Sequence, residues 1–332
     1  MDTHTGLNSI YFKTGKLDNL YRTPELELIA GEEGSIVEVK EEQCRFLLNI
    51  RSVYYCSRLQ TERARVLSQI PKESILFDPF CGVGPFSLQF AKRKNSIAIA
   101  NDLNPECLFY FRKNQKKNKV KSKSIGFHSD ARQFLKLMLQ VVSQMTFIHL
   151  KISPSQESIS KIRELFLSYN VLYNLSGQQN IIDNFNIIES QLLKISANRR
   201  FIVYMNLPGE NIDFLDALDF KLVTGILGEM SQFQVELDFY VTCFEEINES
   251  SEKIYEEAKK RIIERVSEPN QICKLEWEVD FKECKEIKNV SSTKIMLCVH
   301  FGLKLKPKKN EHSLLGAHNL NIETQELSLI HI

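Results

Sequence analysis

The stretch "SILFDPFCGVGPFSL", Ser74 to Leu88, decides the fold. An apolar run, Ile75, Leu76 and Phe77, ends at an acid, Asp78, and is followed by two glycines two residues apart, Gly82 and Gly84, with Pro85 straight after the second. That order predicts a strand delivered into a helix through a tight turn. Glycine takes backbone angles closed to other residues and lets a ligand approach the main chain. Proline suits the first turn of a helix, whose open N–H groups carry partial positive charge. Gly82 and Gly84 would then offer backbone amides to an anion or a ribose. The third glycine of a G-x-G-x-x-G pattern is replaced by Ser87, so the turn alone is equally consistent with tight packing and no ligand.

Working outward, strands and helices alternate. After a helix from Pro85 to about residue 94 come "SIAIAND", a helix from Pro105 to about Lys117, "SIGFHSD" and the helical "ARQFLKLMLQVV". "RFIVYMNLP" and "DFYVTCFEE" supply further strands, and a charged helix spans about 249 to 266. Such βαβαβ alternation predicts an α/β fold, a mostly parallel sheet covered on both faces. "KLEWEVDFKEC" and "KIMLCVHFGLKL" are expected to add an antiparallel pair. Upstream, "ELELIAG", "SIVEVK" and "RFLLNI" predict a small antiparallel sheet, and "TERARVLSQI" a helix capped by Thr61 and ended by Pro71. A polar tract over about 153–198 carries Ile159, Ile162, Leu165 and Phe166, then Ile187, Ile188, Leu192 and Leu193, at helical spacing. It is expected to be an insertion with helical pieces, and the last 25 or so residues a tail.

Composition excludes little. Lys+Arg 43 against Asp+Glu 42 leaves a formal charge of +1 in 332 residues, so a nucleic acid would have to be held by a local patch. One candidate is "RKNQKKNKVKSK", Arg112 to Lys123, with seven basic residues of twelve; a solvated helix end explains it nearly as well. The eight cysteines show no C-x-x-C pair and no histidine at ligand spacing, so no metal is expected and the thiols are taken as reduced and intracellular. No secretory or transit peptide is evident, and no apolar stretch is long enough to cross a bilayer, which predicts a soluble chain.

Acids close three of the expected strands. Asp102 ends "IAIAND" about 20 residues past Gly82, where a carboxylate can bind both ribose hydroxyls. Asp130 ends "FHSD", where it can accept from an adenine amine or simply cap a helix. With Asp78 before the glycines, these describe a nucleoside cradle. Both nicotinamide and S-adenosylmethionine cofactors contain that nucleoside. The fourth strand end, "MNLPG" (Met205 to Gly209), is similar to the Asn-x-Pro turn that methyltransferases place beside the reactive methyl.

Taken in order, "NLYRTPELELIAGE", "QCRFLLNIRSVYYCSRLQTER", "ILFDPFCGVGPFSL", "ANDLNPE", "HSDARQF", "YMNLPGENIDFLDAL" and "YVTCFE" resemble the eukaryotic and archaeal tRNA (guanine-37)-N1-methyltransferase family, and "SSTKIMLCVHFGL" resembles its closing strand. The resemblance implies a class I methyltransferase (Rossmann-like) sheet over 56–306 behind a small β-rich region, 1–55, with 307–332 as the tail. It implies S-adenosyl-L-methionine as cofactor and the anticodon loop of tRNA as partner, with monomer as the default. By this resemblance Glu62 is the general base for guanine N1, Arg22 stabilises charge on O6, and Asn206 and Pro208 orient the base. Arg63, Asp102, Leu103, Asp130, Ala131 and Asn206 line the cofactor pocket, joined by Asp78, Gly82 and Gly84 from the turn. Cytoplasm and nucleus, or the mitochondrial matrix, are the compartments implied. The match starts near Lys16, short of the small domain with which the family touches the outer corner of tRNA, and the stretch between Asp130 and Asn206 is about 40 residues longer than usual. Three other readings remain: the related aminocarboxypropyl transferase of wybutosine synthesis, a tRNA-binding protein without activity, and a nicotinamide dehydrogenase.

Overall fold

In the computed structural model, residues 8–15, 19–93, 96–150, 156–172, 200–207, 209–228, 230, 232–247 and 250–308 are described. The chain from Ile75 to Lys92 forms β5 (Ile75–Asp78), the glycine turn and α2 (Ser87–Lys92). All four residues of β5 are buried, as a strand covered on both faces requires. Beside it lie β6 (Ile97–Asp102), β7 (Ser124–His128), β8 (Phe201–Met205) and β9 (Val235–Glu246), all parallel. β11 (Lys294–Pro307) runs antiparallel to β9, and β10 (Leu275–Asn289) closes that edge antiparallel to β11. Among the described residues the order is β10-β11-β9-β8-β5-β6-β7. The chain thus lays down β5, β6 and β7 in one direction and then returns to the other side of β5 for β8. A crevice opens at such a reversal, beyond the carboxyl ends of the strands.

Alternation along the strands divides two cores. Ile75, Phe77, Ile99, Phe127, Val203, Leu237 and Phe301 face α4 (Ala131–Leu150), α6 (Lys221–Leu227) and α7 (Ser251–Ser267). Leu76, Ala98, Ala100, Ile202, Tyr204 and Cys298 share the other core with side chains of α1 (Gln60–Gln69), α2 and α3 (Pro105–Lys117). α5 (Gln156–Leu172) places Phe166 on Phe127, ring centroids 5.5 Å apart, so the first helical piece of the polar tract is present. The second, around Ile187, lies outside the described residues. No described helix is long and apolar enough to cross a membrane.

In front, β3 (Ile36–Glu41) and β4 (Cys44–Asn49) form one hairpin, while β2 (Leu26–Gly31) pairs with β1 (Ser9–Lys13), a strand the sequence did not suggest. The expected single small sheet is therefore two. Thr61 does not cap α1: the helix begins one residue earlier, and Leu59 at the cap position makes no side-chain bond. The β3–β4 hairpin is fixed to the sheet by α3. Asn114 accepts from the Leu47 N–H (2.8 Å) and donates to the Leu47 carbonyl (3.0 Å); Asn118 does the same for Arg45 at 2.9 and 2.8 Å. Residues four apart on a helix thus meet residues two apart on a strand, and two amides replace a missing neighbour strand.

Candidate active site

A cavity of about 390 Å³ sits over the crevice. Its floor is the glycine turn, whose two glycines do different things. Gly82 has φ +55°, and a Cβ added there would meet nothing nearer than the Tyr54 carbonyl at 4.0 Å, so it would stand in the cavity. Gly84 has φ +92°, and its Cβ would strike Leu88 at 2.7 Å and Phe111 at 2.8 Å. Gly82 leaves room for a ligand and Gly84 lets the turn press onto α3. Asp102 is aimed from two sides, accepting from the Gly82 N–H and the Asn104 N–H, both at 2.8 Å. Burial raises its pKa, and those two donors oppose the rise. Beneath the turn Asp78 accepts from the Ser87 hydroxyl and the Phe80 N–H; burial pushes its pKa up to about 7.

One residue ties the loops together. Asn101 is fully buried; its amide donates to the carbonyls of Pro79 (3.2 Å) and Ser129 (2.9 Å) and accepts from the Ser129 hydroxyl (2.6 Å). Strand ends β5, β6 and β7 are thereby held in one register. Asp130 uses one oxygen to accept the Arg132 N–H at the start of α4 (2.8 Å) and also lines the cavity, so the capping and ligand-facing readings coexist. Leu103, Ala131, Phe80 and Phe214 give this side an apolar wall.

The opposite rim is the turn after β8. Asn211, fully buried, donates to the Met205 carbonyl (2.9 Å) and the Thr242 carbonyl (2.6 Å) and accepts from the Leu207 N–H (2.9 Å). The Thr242 hydroxyl donates to Asn206 Oδ1 at 3.2 Å, which orients that amide at the cavity. Across the opening, Arg22 stands in a left-handed backbone conformation (φ +53°) and donates from Nη2 to Glu210 at 2.8 Å. A front-segment guanidinium thus meets the Asn206 turn.

Arg63 comes from α1 and is held by the front hairpin. Its Nε and Nη2 donate to the two oxygens of Glu41 at 2.7 and 2.6 Å; Tyr55 and Gln89 each donate to the same carboxylate at 2.8 Å. Glu41 is fully buried and Arg63 nearly so. Burial works against the guanidinium's charge, but Glu41 more than offsets it and the pKa is raised.

Of the residues expected from the sequence, the fold brings Arg22, Arg63, Gly82, Asp102, Leu103, Asp130, Ala131 and Asn206 to one cavity. Asp78 and Gly84 lie beneath it, for the reasons of packing just given. Pro208 lies outside the described residues. Glu62 is not on the wall. Leu59 and Arg63, four apart, occupy the cavity side of α1, which turns Glu62 and Arg65, three apart, toward the C-terminal strands. There Glu62 receives both arms of Arg65 at 2.7 Å, and Arg65 also reaches Glu283 at 2.7 Å. Glu41, Asn101, Asn211 and Thr242 escaped the sequence reading because nothing local marks a buried polar partner.

Residues 37–164 match the TRM5/TYW2 methyltransferase domain. A tRNA (guanine(37)-N(1))-methyltransferase of Candida albicans (strain WO-1) is 32% identical over 308 residues, 91% of this chain and 64% of that protein. Over residues 37–164 the chain carries a TRM5/TYW2 methyltransferase domain. A relative of the same name from Paramecium tetraurelia is 31% identical over 97% of this chain and 62% of its own length, so the chain spans less than two thirds of these curated relatives. Among solved structures, Trm5b from Pyrococcus abyssi superposes with a TM-score of 0.56 at 20% identity, covering 91% of this chain and 66% of that one. The two chains share their fold.

Proposed function

We propose that this chain transfers a methyl group from S-adenosyl-L-methionine to N1 of guanosine 37, beside the anticodon of tRNA. The observation that carries the reading is the meeting of Arg22, Asn206 and the fixed Asp102 carboxylate around one cavity in a chain whose relatives bear that name. The residues present fit the cofactor: Gly82 leaves a cradle that a Cβ would fill, Asp102 offers a preset carboxylate to ribose hydroxyls, and Asp130 with Leu103 and Ala131 suits an adenine. When bound, the cofactor supplies a methyl group activated on a sulfonium.

The protein's own part is alignment and charge. Neutral guanine carries a proton on N1, which a carboxylate must remove before that nitrogen can attack. Glu62 is the acceptor in this reading. That role requires its carboxylate to leave Arg65 and turn from the C-terminal strands toward the cavity, with Glu283 remaining as an acceptor for Arg65. As the proton leaves, charge grows on O6, and Arg22, braced by Glu210, is the group to stabilise it. Asn206 grips the edge of the base, and Tyr54 and Leu20 line the same cavity.

The test is incubation of purified protein with an unmodified tRNA transcript and cofactor, followed by mass spectrometry of the nucleosides. A 1-methylguanosine that disappears when position 37 is changed supports the proposal. An aminocarboxypropyl adduct, or binding without transfer, overturns it. Glu62→Gln is expected to lower kcat by about 10²- to 10⁴-fold, and equal turnover by this variant would remove Glu62 from its role.

A further inference from the structure

Beyond Glu106 in its first turn, the outward face of α3 is a basic stripe. Asn114 and Asn118 face the hairpin, and Leu108, Phe111 and Gln115 are buried, which fixes the helix's rotation. Phe109, Arg112, Lys113 and Lys116 are left facing out, followed by Lys119, Lys121 and Lys123. The helix begins at the cavity, where Asn104 and Cys107 line the wall, and runs about 20 Å away from it. At its far end Lys92, Lys117, Lys119 and Lys123 line a shallow bay of about 440 Å³.

No acid occurs from residue 107 to 129, and one of these charges alone is met by an acid among the described residues. Lys117 pairs with Glu38 of β3, and Lys92 donates to the Gln43 carbonyl. Arg112, Lys116, Lys119, Lys121 and Lys123 make no ion pair with any described residue. Arg112 is half-buried with its pKa lowered by desolvation. Favourable interaction with the helix's carboxyl end accounts for the lysines of the last turn only; it leaves out Arg112 and Lys113, and the latter lies 4.2 Å over the exposed Phe109 ring nearer the cavity.

We infer that this stripe is a docking surface for the sugar-phosphate backbone of the RNA whose base enters the cavity. The inference rests on the reading of the cavity given above and adds the track along which the stem leaves it. Uncompensated cations in a line from the site are what phosphate neutralisation requires, and the gain on binding is release of counterions, which salt suppresses.

The test compares wild type with the triple variant Lys116→Gln, Lys119→Asn, Lys123→Gln; asparagine is chosen at 119 because the backbone there is left-handed (φ +58°). Binding of a fluorescent tRNA transcript is measured without cofactor across a salt series, and methyl transfer is measured separately. The variant is expected to bind about tenfold or more weaker, with the slope of log Kd against log salt reduced by about three. Its affinity for S-adenosylhomocysteine and its melting temperature are expected to match wild type. A second variant, Arg112→Gln, is expected to weaken RNA binding in the same direction. Unchanged RNA affinity and salt slope in the triple variant would overturn the surface. Wild type that binds RNA through the stripe yet leaves guanine 37 unmodified would overturn the proposed reaction and leave the surface standing.

Discussion

Gly82 and Gly84 look alike in the sequence, and only the packing behind them tells their tasks apart. Gly84→Ala forces a left-handed residue against Leu88 and Phe111, and a loss of about 2–4 kcal/mol is expected in urea unfolding. Gly82→Ala carries the strain of a left-handed alanine, about 1–2 kcal/mol, but its methyl projects into the cavity, so calorimetry with S-adenosylhomocysteine should show the larger effect. Asp78 gives a pH signature. Its pKa in the folded chain, about 7, lies above the ordinary carboxylate value, so the stabilisation is full below about pH 4 and is lost as pH rises through 7. Asp78→Asn removes that titration, and its stability relative to wild type should rise steadily from pH 4 to pH 7.5 in denaturant titrations. Residue types at strand ends were legible because acids and glycines there have few uses. Side-chain direction was not: Glu62 stands next to Arg63 in sequence, yet one helical step carries it out of the cavity and onto Arg65.

At the scale of elements, periodicity made the parallel strands, α3 and the closing β10–β11 pair readable, since each repeats a local pattern over many residues. Pairing between distant segments leaves no such trace, which is why β1 was missed and the front sheet divides in two. The attachment of the front hairpin was equally silent, because it depends on Glu41 meeting Arg63 and on two asparagines meeting β4. Glu41→Ala strands a buried guanidinium, and a loss of about 3–5 kcal/mol is expected, much of it recovered in Glu41→Ala/Arg63→Leu. Asn114→Ala leaves the Leu47 N–H and carbonyl without their partner and is expected to cost about 1–3 kcal/mol. Both are checked by denaturant unfolding of the full chain.

Across the whole molecule, the front segment adds to the cavity without adding to the cores. Both cores are built from residues after Ile36; none of the described residues from 8 to 35 belongs to either. Removal of residues 1–35 is therefore expected to shift the melting temperature by only a few degrees while the proposed methyl transfer collapses with the loss of Arg22. Circular dichroism melts and turnover measured side by side check this. The overall layout was legible because a strand order that reverses must open a crevice; the assignment of its two sides to separate chain segments needed coordinates. The Glu41–Arg63 pair has a bearing on engineering. One half of it sits on the exchangeable front and the other on the scaffold, so a chimera that imports a hairpin from a relative must bring an acid at position 41, or surrender the arginine, before any question of substrate choice arises.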